Sequence, residues 1–267
     1  MNYAELLSAL NAAVDAASDG LLNGHAGAVR SKAAQDVQCE ADVAAQERAA
    51  AVLAERLPGL PLLGEESWPA VPFTELPDGV VLDPLDGTKN YIRGLPLWGV
   101  GACALVGGVP VASVIRLPEL GERFTATLGG GSTWNGRPMS LAPGPTLEEA
   151  AAAIGFAHRG DGRDDTDQQL FASLLGSVRQ VLRVGCAMAN LSWLASGRLD
   201  LYVQRRMWPY DFLPGALLIK EAGGSVRLQN TADARSGVFI ARPGLEADLD
   251  RLLTDAGVDL NQLTPLP

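Results

Sequence analysis

The chain has 267 residues, 47% of them hydrophobic and 19% charged, which excludes a disordered or fibrous protein. Its 21 lysines and arginines against 31 aspartates and glutamates give a formal net charge of −10, and this argues against general binding to nucleic-acid backbones or anionic lipid. Three widely spaced cysteines, Cys39, Cys103 and Cys186, argue against a disulfide framework or zinc cluster, and only two histidines, His25 and His158, leave little material for histidine-based catalysis.

The amino terminus, Met1 to Gly20, carries Glu5 and Asp15 without a basic region and does not read as a secretory signal. A reducing, cytoplasmic location is the expectation. Leu6, Leu7, Leu10, Val14, Ala17 and Leu21 recur every three or four residues and predict a helix over Tyr3 to Leu22. A second helix is expected from about Glu40 to Leu57, with Val43, Ala50, Leu53 and Leu57 inward and Pro58-Gly59 ending it. Leu60 to Leu63 and Val80 to Leu82 read as strands that end in acidic residues, as strands do where their carboxyl ends open into a site. Gly94 to Ile115 contains no charge, but its glycines and Gly107-Gly108 predict a buried hairpin rather than a membrane span. A further strand is expected at Arg123 to Leu128.

After a turn-rich segment, Gly129 to Pro145, strand-like and helix-like runs alternate, which predicts a second α/β half over 140–267 packed against 1–139. Strands are expected at Ala151 to Phe156, Val178 to Val184, Leu199 to Val203, Ser225 to Leu228 and Gly237 to Ile240. Helices are expected at Asp167 to Leu175, Ala187 to Ser196, Asp211 to Ala222 and Leu245 to Ala256.

The densest chemical signal is Asp83-Pro84-Leu85-Asp86-Gly87-Thr88, a pattern expected by chance in a chain of this length with a probability of roughly 10⁻⁴. Two carboxylates at a strand end suit hard cations, with the Leu85 carbonyl as a further oxygen ligand. Gly87 permits close backbone approach, and a helix starting here would offer N–H groups to a phosphate. The bland alternative is an Asp-Gly turn with a helix cap. Gly64-Glu65-Glu66-Ser67 follows another predicted strand, and paired glutamates in a loop are more often simply solvated. Asp211, in Trp208-Pro209-Tyr210-Asp211, is either a third acidic element or an ordinary N-cap. Gathered in one pocket, Glu65, Asp83, Asp86 and Asp211 would repel one another and need bound cations, which makes a multi-magnesium site economical.

With these motifs and Glu221-Ala222-Gly223-Gly224, nearly the whole chain resembles the inositol monophosphatase family, magnesium-dependent, lithium-sensitive phosphatases related to fructose-1,6-bisphosphatases. The segment Lys32 to Asp42 resembles the family's upstream acidic element, and Asp42 lies 23 residues before Glu65. The resemblance implies a layered αβαβα sandwich and commonly a homodimer acting on a small-molecule phosphate ester. It implies two or three Mg2+ ions on Glu65, Asp83, the Leu85 carbonyl, Asp86 and Asp211, with Glu66 behind them. Gly87 and Thr88 would hold phosphate, Asp42 with Thr88 would orient and deprotonate the attacking water, and Gly185, Cys186 and Ala187 would line the alcohol side.

Some residues depart from the inositol-specific pattern. Lys89 stands where a second Thr is usual, Gln204 where a glutamate precedes the last aspartate by seven residues, and Pro209-Tyr210 are inserted before Asp211. Gln204 lacks a carboxylate's acceptor strength for a polyol. The run from Lys89 to Trp98 is similar to the histidinol-phosphate phosphatase branch, and Lys89 is similar to members acting on adenosine 3′,5′-bisphosphate. The expected activity is hydrolysis of inositol-1-phosphate or a similar polyol phosphate. Histidinol phosphate is the runner-up, followed by fructose 1,6-bisphosphate and adenosine 3′,5′-bisphosphate.

Other signals are weaker. Gly99 to Ala104 fits G-x-G-x-x-A, but it falls inside the predicted hairpin and not between a strand and a helix. A haloacid-dehalogenase-type nucleophile needs its aspartates two apart, whereas Asp83 and Asp86 are three apart. Trp98, Trp134 and Trp193 read as core or subunit contacts, Cys186 also as a packed small side chain, and both histidines as surface residues. A catalytically silent metal or phosphate-metabolite sensor would have lost the water-activating pair, yet Asp42 and Thr88 are both present.

Overall fold

The computed structural model describes residues 2–33, 36–68, 71, 73–156, 165–231 and 234–267. Helix α1 (Tyr3–Leu22) starts at Asn2, whose side chain accepts from the Ala4 amide at 3.0 Å. Leu6, Leu10, Val14, Ala17 and Leu21 are buried along one face, as their spacing predicts, and Leu7 lies at its edge. A short antiparallel hairpin follows, β1 (Val29–Ala33) and β2 (Asp36–Cys39), which the polar sequence there does not announce.

Helix α2 (Glu40–Arg56) buries Leu53 and packs Leu57 against the core as expected, but not Val43. Asp42, Ala45, Ala49 and Leu53 are buried, while Val43 is 38% exposed. The helix is so rich in alanine that its few larger apolar residues do not mark a stripe. Its rotation is tied instead at the first turn, where the Asp42 carboxylate accepts from the Cys39 amide at 2.7 Å.

The first sheet has seven strands in sequence order: β3 (Leu62–Gly64), β4 (Gly79–Asp86), then, after the short helix α3 (Thr88–Ile92), β5 (Gly99–Val106), β6 (Val109–Leu117), β7 (Glu122–Thr127), β8 (Gly131–Trp134) and β9 (Arg137–Met139). Only β3 and β4 are parallel. The uncharged stretch is the β5–β6 hairpin turning at Gly107-Gly108, and no helix among the described residues is long and apolar enough to cross a membrane. Gly129 to Pro145, expected as turns, contributes the last two strands, β8 and β9, at one end of the sheet. They are too short and too polar for periodicity to reveal.

The second sheet draws on β10 (Ala151–Gly155), β11 (Gln180–Leu182) after helix α4 (Asp165–Ser177), and β12 (Leu201–Met207) after helix α5 (Ala187–Ala195). Helix α6 (Pro209–Glu221), β13 (Ser225–Asn230), β14 (Ser236–Ala241), helix α7 (Glu246–Asp255) and β15 (Leu263–Pro265) complete it, in the order β11-β10-β12-β14-β13-β15. The strand expected over Val178 to Val184 shrinks to three residues at the sheet edge.

Three buried cores alternate with these elements. Leu6, Leu10, Ala45 and Leu53 meet Val80, Leu82, Val100 and Val114 of the first sheet. On the sheet's other face, Phe212, Leu213, Leu217 and Leu191 of α6 and α5 fill the space up to Tyr202, Val238 and Ile240 of the second. Beyond that sheet, Leu170, Leu174, Leu249 and Leu253 of α4 and α7 cover Ile154, Val203 and Phe239. The layers are therefore α1/α2, sheet, α5/α6, sheet, α4/α7, an αβαβα sandwich.

Trp98 is buried edge-on to Tyr91 at 5.1 Å, Trp134 stacks on Phe124 at 6.2 Å, and the Trp193 indole N–H donates to Glu122 at 3.3 Å. His25 is exposed, and His158 lies outside the described residues.

Candidate active site

The motif at 83–88 gains its meaning from a bulge. In a regular strand, residues three apart point to opposite faces. Here Asp83 pairs with Gly101 and Asp86 with Gly99, so the β4 side carries one extra residue. Pro84, which has no N–H to give the ladder, sits within that bulge. The irregularity brings both carboxylates to one side. Gly87 follows at φ 88°, where a Cβ would stand 2.9 Å from the Leu97 carbonyl oxygen, so glycine is required by conformation and by space.

The strand opens into a cavity of about 790 Å³. Glu65, Leu85, Asp86, Gly87, Thr88, Gly185, Cys186, Ala187, Gln204 and Asp211 all line it, although they come from both sheets and from five separated places in the chain. Asp83 lies behind this wall, 1% exposed, with its carboxylate accepting from the Leu85 amide at 3.0 Å. Burial pushes its pKa well above the usual carboxylate range, and the negative charges of Glu65, Asp86 and Asp211 push it further the same way.

Asp86 opens to the pocket, yet the protein around its carboxylate raises it to about 6. Opposing that rise are the Cys186 thiol and the backbone amides of Met188, Ala187 and Gly87, the Met188 bond being 2.6 Å. The first turn of α5 is thus spent on a protein carboxylate.

Asp211 is not the N-cap of α6. Trp208 caps the helix, Pro209 takes its first position, and the Asp211 carboxylate reaches back to the Trp208 amide at 3.1 Å. The additional Pro-Tyr pair is absorbed as the helix's first turn. Glu66 does not line the pocket; its carboxylate accepts from Gln38, and its amide donates to Gln46 at 3.1 Å.

Asp42 is fully buried and reaches the pocket only through Thr88. The Thr88 hydroxyl lies 3.0 Å from an Asp42 oxygen and 3.0 Å from the Leu85 carbonyl. It has one proton and can donate to only one of them at a time. The other Asp42 oxygen accepts from the Cys39 amide and, at 2.8 Å, from the Cys39 thiol. Burial first, and Asp42 second, push that thiol up to about 12, so it stays a neutral donor.

The donor set is oxygen throughout, which fits a hard cation such as magnesium. Among the described residues no three His, Cys, Asp or Glu side chains are placed to hold a metal ion by themselves. Glu65, Asp86 and Asp211 line an open pocket, where an ion would complete its shell with water and substrate oxygens.

Several residues at or beneath the pocket were given no site role from the sequence. Tyr202 is buried beneath the pocket, its hydroxyl donating to the Gln204 side-chain Oε1 at 2.6 Å. Asn90 ties two walls together, donating to the Leu97 carbonyl at 2.7 Å and the Val184 carbonyl at 3.1 Å. An aromatic chain, Trp68 against Tyr210 at 5.1 Å and Tyr210 against Trp208 at 6.2 Å, links the Glu65 turn to the start of α6. Its clue was the aromatic flank of each acidic motif.

Gln204 pairs in register with Gly155, where a Cβ would meet the Gln204 Oε1 at 1.6 Å. Gly155→Ala should therefore drive the Gln204 side chain off Tyr202. We expect KM to rise about fivefold, the equivalent of one neutral hydrogen bond, with the circular-dichroism spectrum unchanged. An unaltered KM would detach Gln204 from substrate binding.

A sequence profile described as the inositol monophosphatase family matches residues 3–255. Among curated relatives, the Nus factor SuhB of Pseudomonas aeruginosa is 37% identical over 202 residues, 74% of each chain. An inositol-1-monophosphatase of Mesorhizobium japonicum is 33% identical over 191 residues, 72% of this chain and 71% of that one. The solved inositol monophosphatase of Anabaena superposes with a TM-score of 0.81 at 28% identity, covering 95% of this chain and 97% of its own. The chain belongs to the inositol monophosphatase family and has the enzyme class of a phosphoric monoester hydrolase.

Proposed function

We propose that the protein hydrolyses the phosphate monoester of a small polyol, of the inositol-1-phosphate type, to the free alcohol and inorganic phosphate, with Mg2+ as cofactor. The observation that carries this reading is the mutual influence of Glu65, Asp83, Asp86 and Asp211 at one pocket, three segments of the chain meeting where unneutralised carboxylates destabilise each other. Two or three magnesium ions held by Glu65, Asp83, the Leu85 carbonyl, Asp86 and Asp211 would polarise the phosphoryl group and stabilise the leaving oxygen.

The chain's own residues do the rest. Thr88, donating to Asp42, turns its oxygen lone pairs to the attacking water and orients it, and Asp42 takes the proton through that contact. Gly87 and Thr88 cradle the phosphate, and Gly185, Cys186 and Ala187 wall the alcohol side. Glu66 braces the Glu65 turn through Gln38 and Gln46. In this reading residues 1–139 bring most of the metal ligands and residues 140–267 bring Asp211 and the substrate side. Three buried free cysteines suit a cytoplasmic location.

The test is a phosphate-release panel with inositol-1-phosphate, histidinol phosphate, fructose 1,6-bisphosphate and adenosine 3′,5′-bisphosphate. Release that requires magnesium and stops in EDTA is expected. Undiminished release in EDTA would contradict the metal mechanism, and no release from any compound would favour the silent metal or metabolite sensor. Lithium inhibition and a dimeric mass by light scattering are expected in the same preparations. The name of the Pseudomonas relative supports a second reading, a role as a Nus factor alongside catalysis. A net charge of −10 directs such a role to protein partners and not to a nucleic-acid backbone.

A further inference from the structure

Two sides of the pocket come from different sheets. The stretch 86–90 runs from the end of β4 into α3, and the stretch 184–188 runs from beyond β11 into α5. They are docked on each other at two points. At one, the Met188 amide donates to the Asp86 carboxylate at 2.6 Å. At the other, the Asn90 side-chain nitrogen donates to the Val184 carbonyl at 3.1 Å, one residue before Gly185. The two anchors differ in kind. The first ends on a charge that a bound cation would share, whereas the second joins neutral groups and holds whether or not a cation is present.

The neutral anchor is chemically exacting. The same Asn90 nitrogen also donates to the Leu97 carbonyl at 2.7 Å. Both partners are carbonyl oxygens, which only accept, so the contact needs two N–H groups on one atom at the end of a short side chain. Asparagine supplies them, whereas a hydroxyl has one proton and a carboxylate none. Helix α3 is only five residues long and has little rigidity of its own. The Asn90 carbonyl accepts from the Arg93 and Leu95 amides at 3.1 and 2.9 Å, which turns the chain back so that Leu97 meets the Asn90 side chain. The Leu97 carbonyl lies at the level of Gly87, where a Cβ would stand 2.9 Å from it. On the opposite side Gly185 has φ 77°, and a Cβ there would lie 3.6 Å from the Asn90 nitrogen. The carboxamide thus sits between Gly87 and Gly185, and all three residues line the cavity.

We propose that Asn90 is a positioning residue for substrate selection, its carboxamide setting the distance between the phosphate side of the pocket at Gly87 and Thr88 and the alcohol side at Gly185, Cys186 and Ala187. This rests on the phosphatase reading above. Inorganic phosphate needs only the first side, whereas a phosphate ester must fit both at once. Loss of the tie therefore weakens recognition of the ester and spares that of phosphate.

Asn90→Asp keeps the shape of the side chain and turns its two donors into an acceptor facing two carbonyls. We expect KM for inositol-1-phosphate in magnesium to rise by at least about fivefold, while the inhibition constant of inorganic phosphate stays within about twofold of its starting value. Asn90→Ser, with a single proton to give, shows the same split by a smaller factor and serves if the aspartate variant fails to fold. Hydrogen–deuterium exchange on the EDTA-treated protein reads the tie without turnover. In either variant the amides of residues 185–189 should exchange at least about fivefold faster, with those of α7 unchanged. Unchanged exchange in both variants, or KM and the phosphate constant rising by the same factor, would overturn the role of Asn90 and leave the phosphatase reading standing. Faster exchange in the variants with no phosphate release from any ester by the unaltered protein would overturn the phosphatase reading, and with it the role in selection, though not the tie.

Discussion

Asp83→Asn is expected to lower kcat/KM by at least 10² while raising the melting temperature of the metal-free protein. The two effects have one cause. Asp83 is 1% exposed and in the field of Glu65, Asp86 and Asp211, so without cations its charged form is opposed both by burial and by its neighbours. An asparagine of nearly the same shape keeps an oxygen for the Leu85 amide, now 3.0 Å away, and removes the repulsion. Loss of a ligand carboxylate costs on the order of 10² or more in rate, since even groups one layer further out cost 10- to 100-fold. Relief of about 1 kcal/mol would raise the melting temperature by roughly 2 °C or more in a chain of this size. Differential scanning in EDTA and initial rates in magnesium measure the two arms. A fall in both would mean that Asp83 is a structural acceptor only, and a near-native rate would remove it from the site.

That opposition of stability and activity is why the acidic residues were legible at all. Carboxylates at the ends of apolar strands conflict with burial, and the conflict stands out in sequence at Val80-Val81-Leu82-Asp83. The sandwich itself was implied by the family resemblance; of its elements, α1 buries one face with the matching period, while β5, β6 and α6 are buried on nearly every side and read only as apolar runs. Where period and burial part company, the reading failed. Val43 reads as core and is exposed because a polar first-turn contact at Asp42 sets the rotation of α2. Strands β8 and β9, the last two of the first sheet, bury too little to leave a pattern. In the pocket, the signal missed was cationic. Arg183, Arg206 and Arg235 are spread over more than fifty residues, and all three line the cavity.

Thr88→Ala separates water activation from metal binding. Among the described residues, Thr88 joins the fully buried Asp42 to the cavity through a 3.0 Å contact. With alanine there, one Asp42 oxygen loses that donor, while the other keeps the Cys39 amide at 2.7 Å and the Cys39 thiol at 2.8 Å. The carboxylate therefore stays in place but is cut off from the water it would deprotonate. A positioned general base contributes about 10² to 10⁴ in rate, so kcat should fall by at least 10² with KM changed little. Thr88→Ser, which restores the hydroxyl without the methyl, should recover most of the rate. Asp42→Asn should match the alanine variant, and because both residues act on one proton, the double variant should be no slower than either single one. A double variant slower by the product of the two single effects would show that Asp42 and Thr88 work independently, and the pair could not then be the water-activating unit.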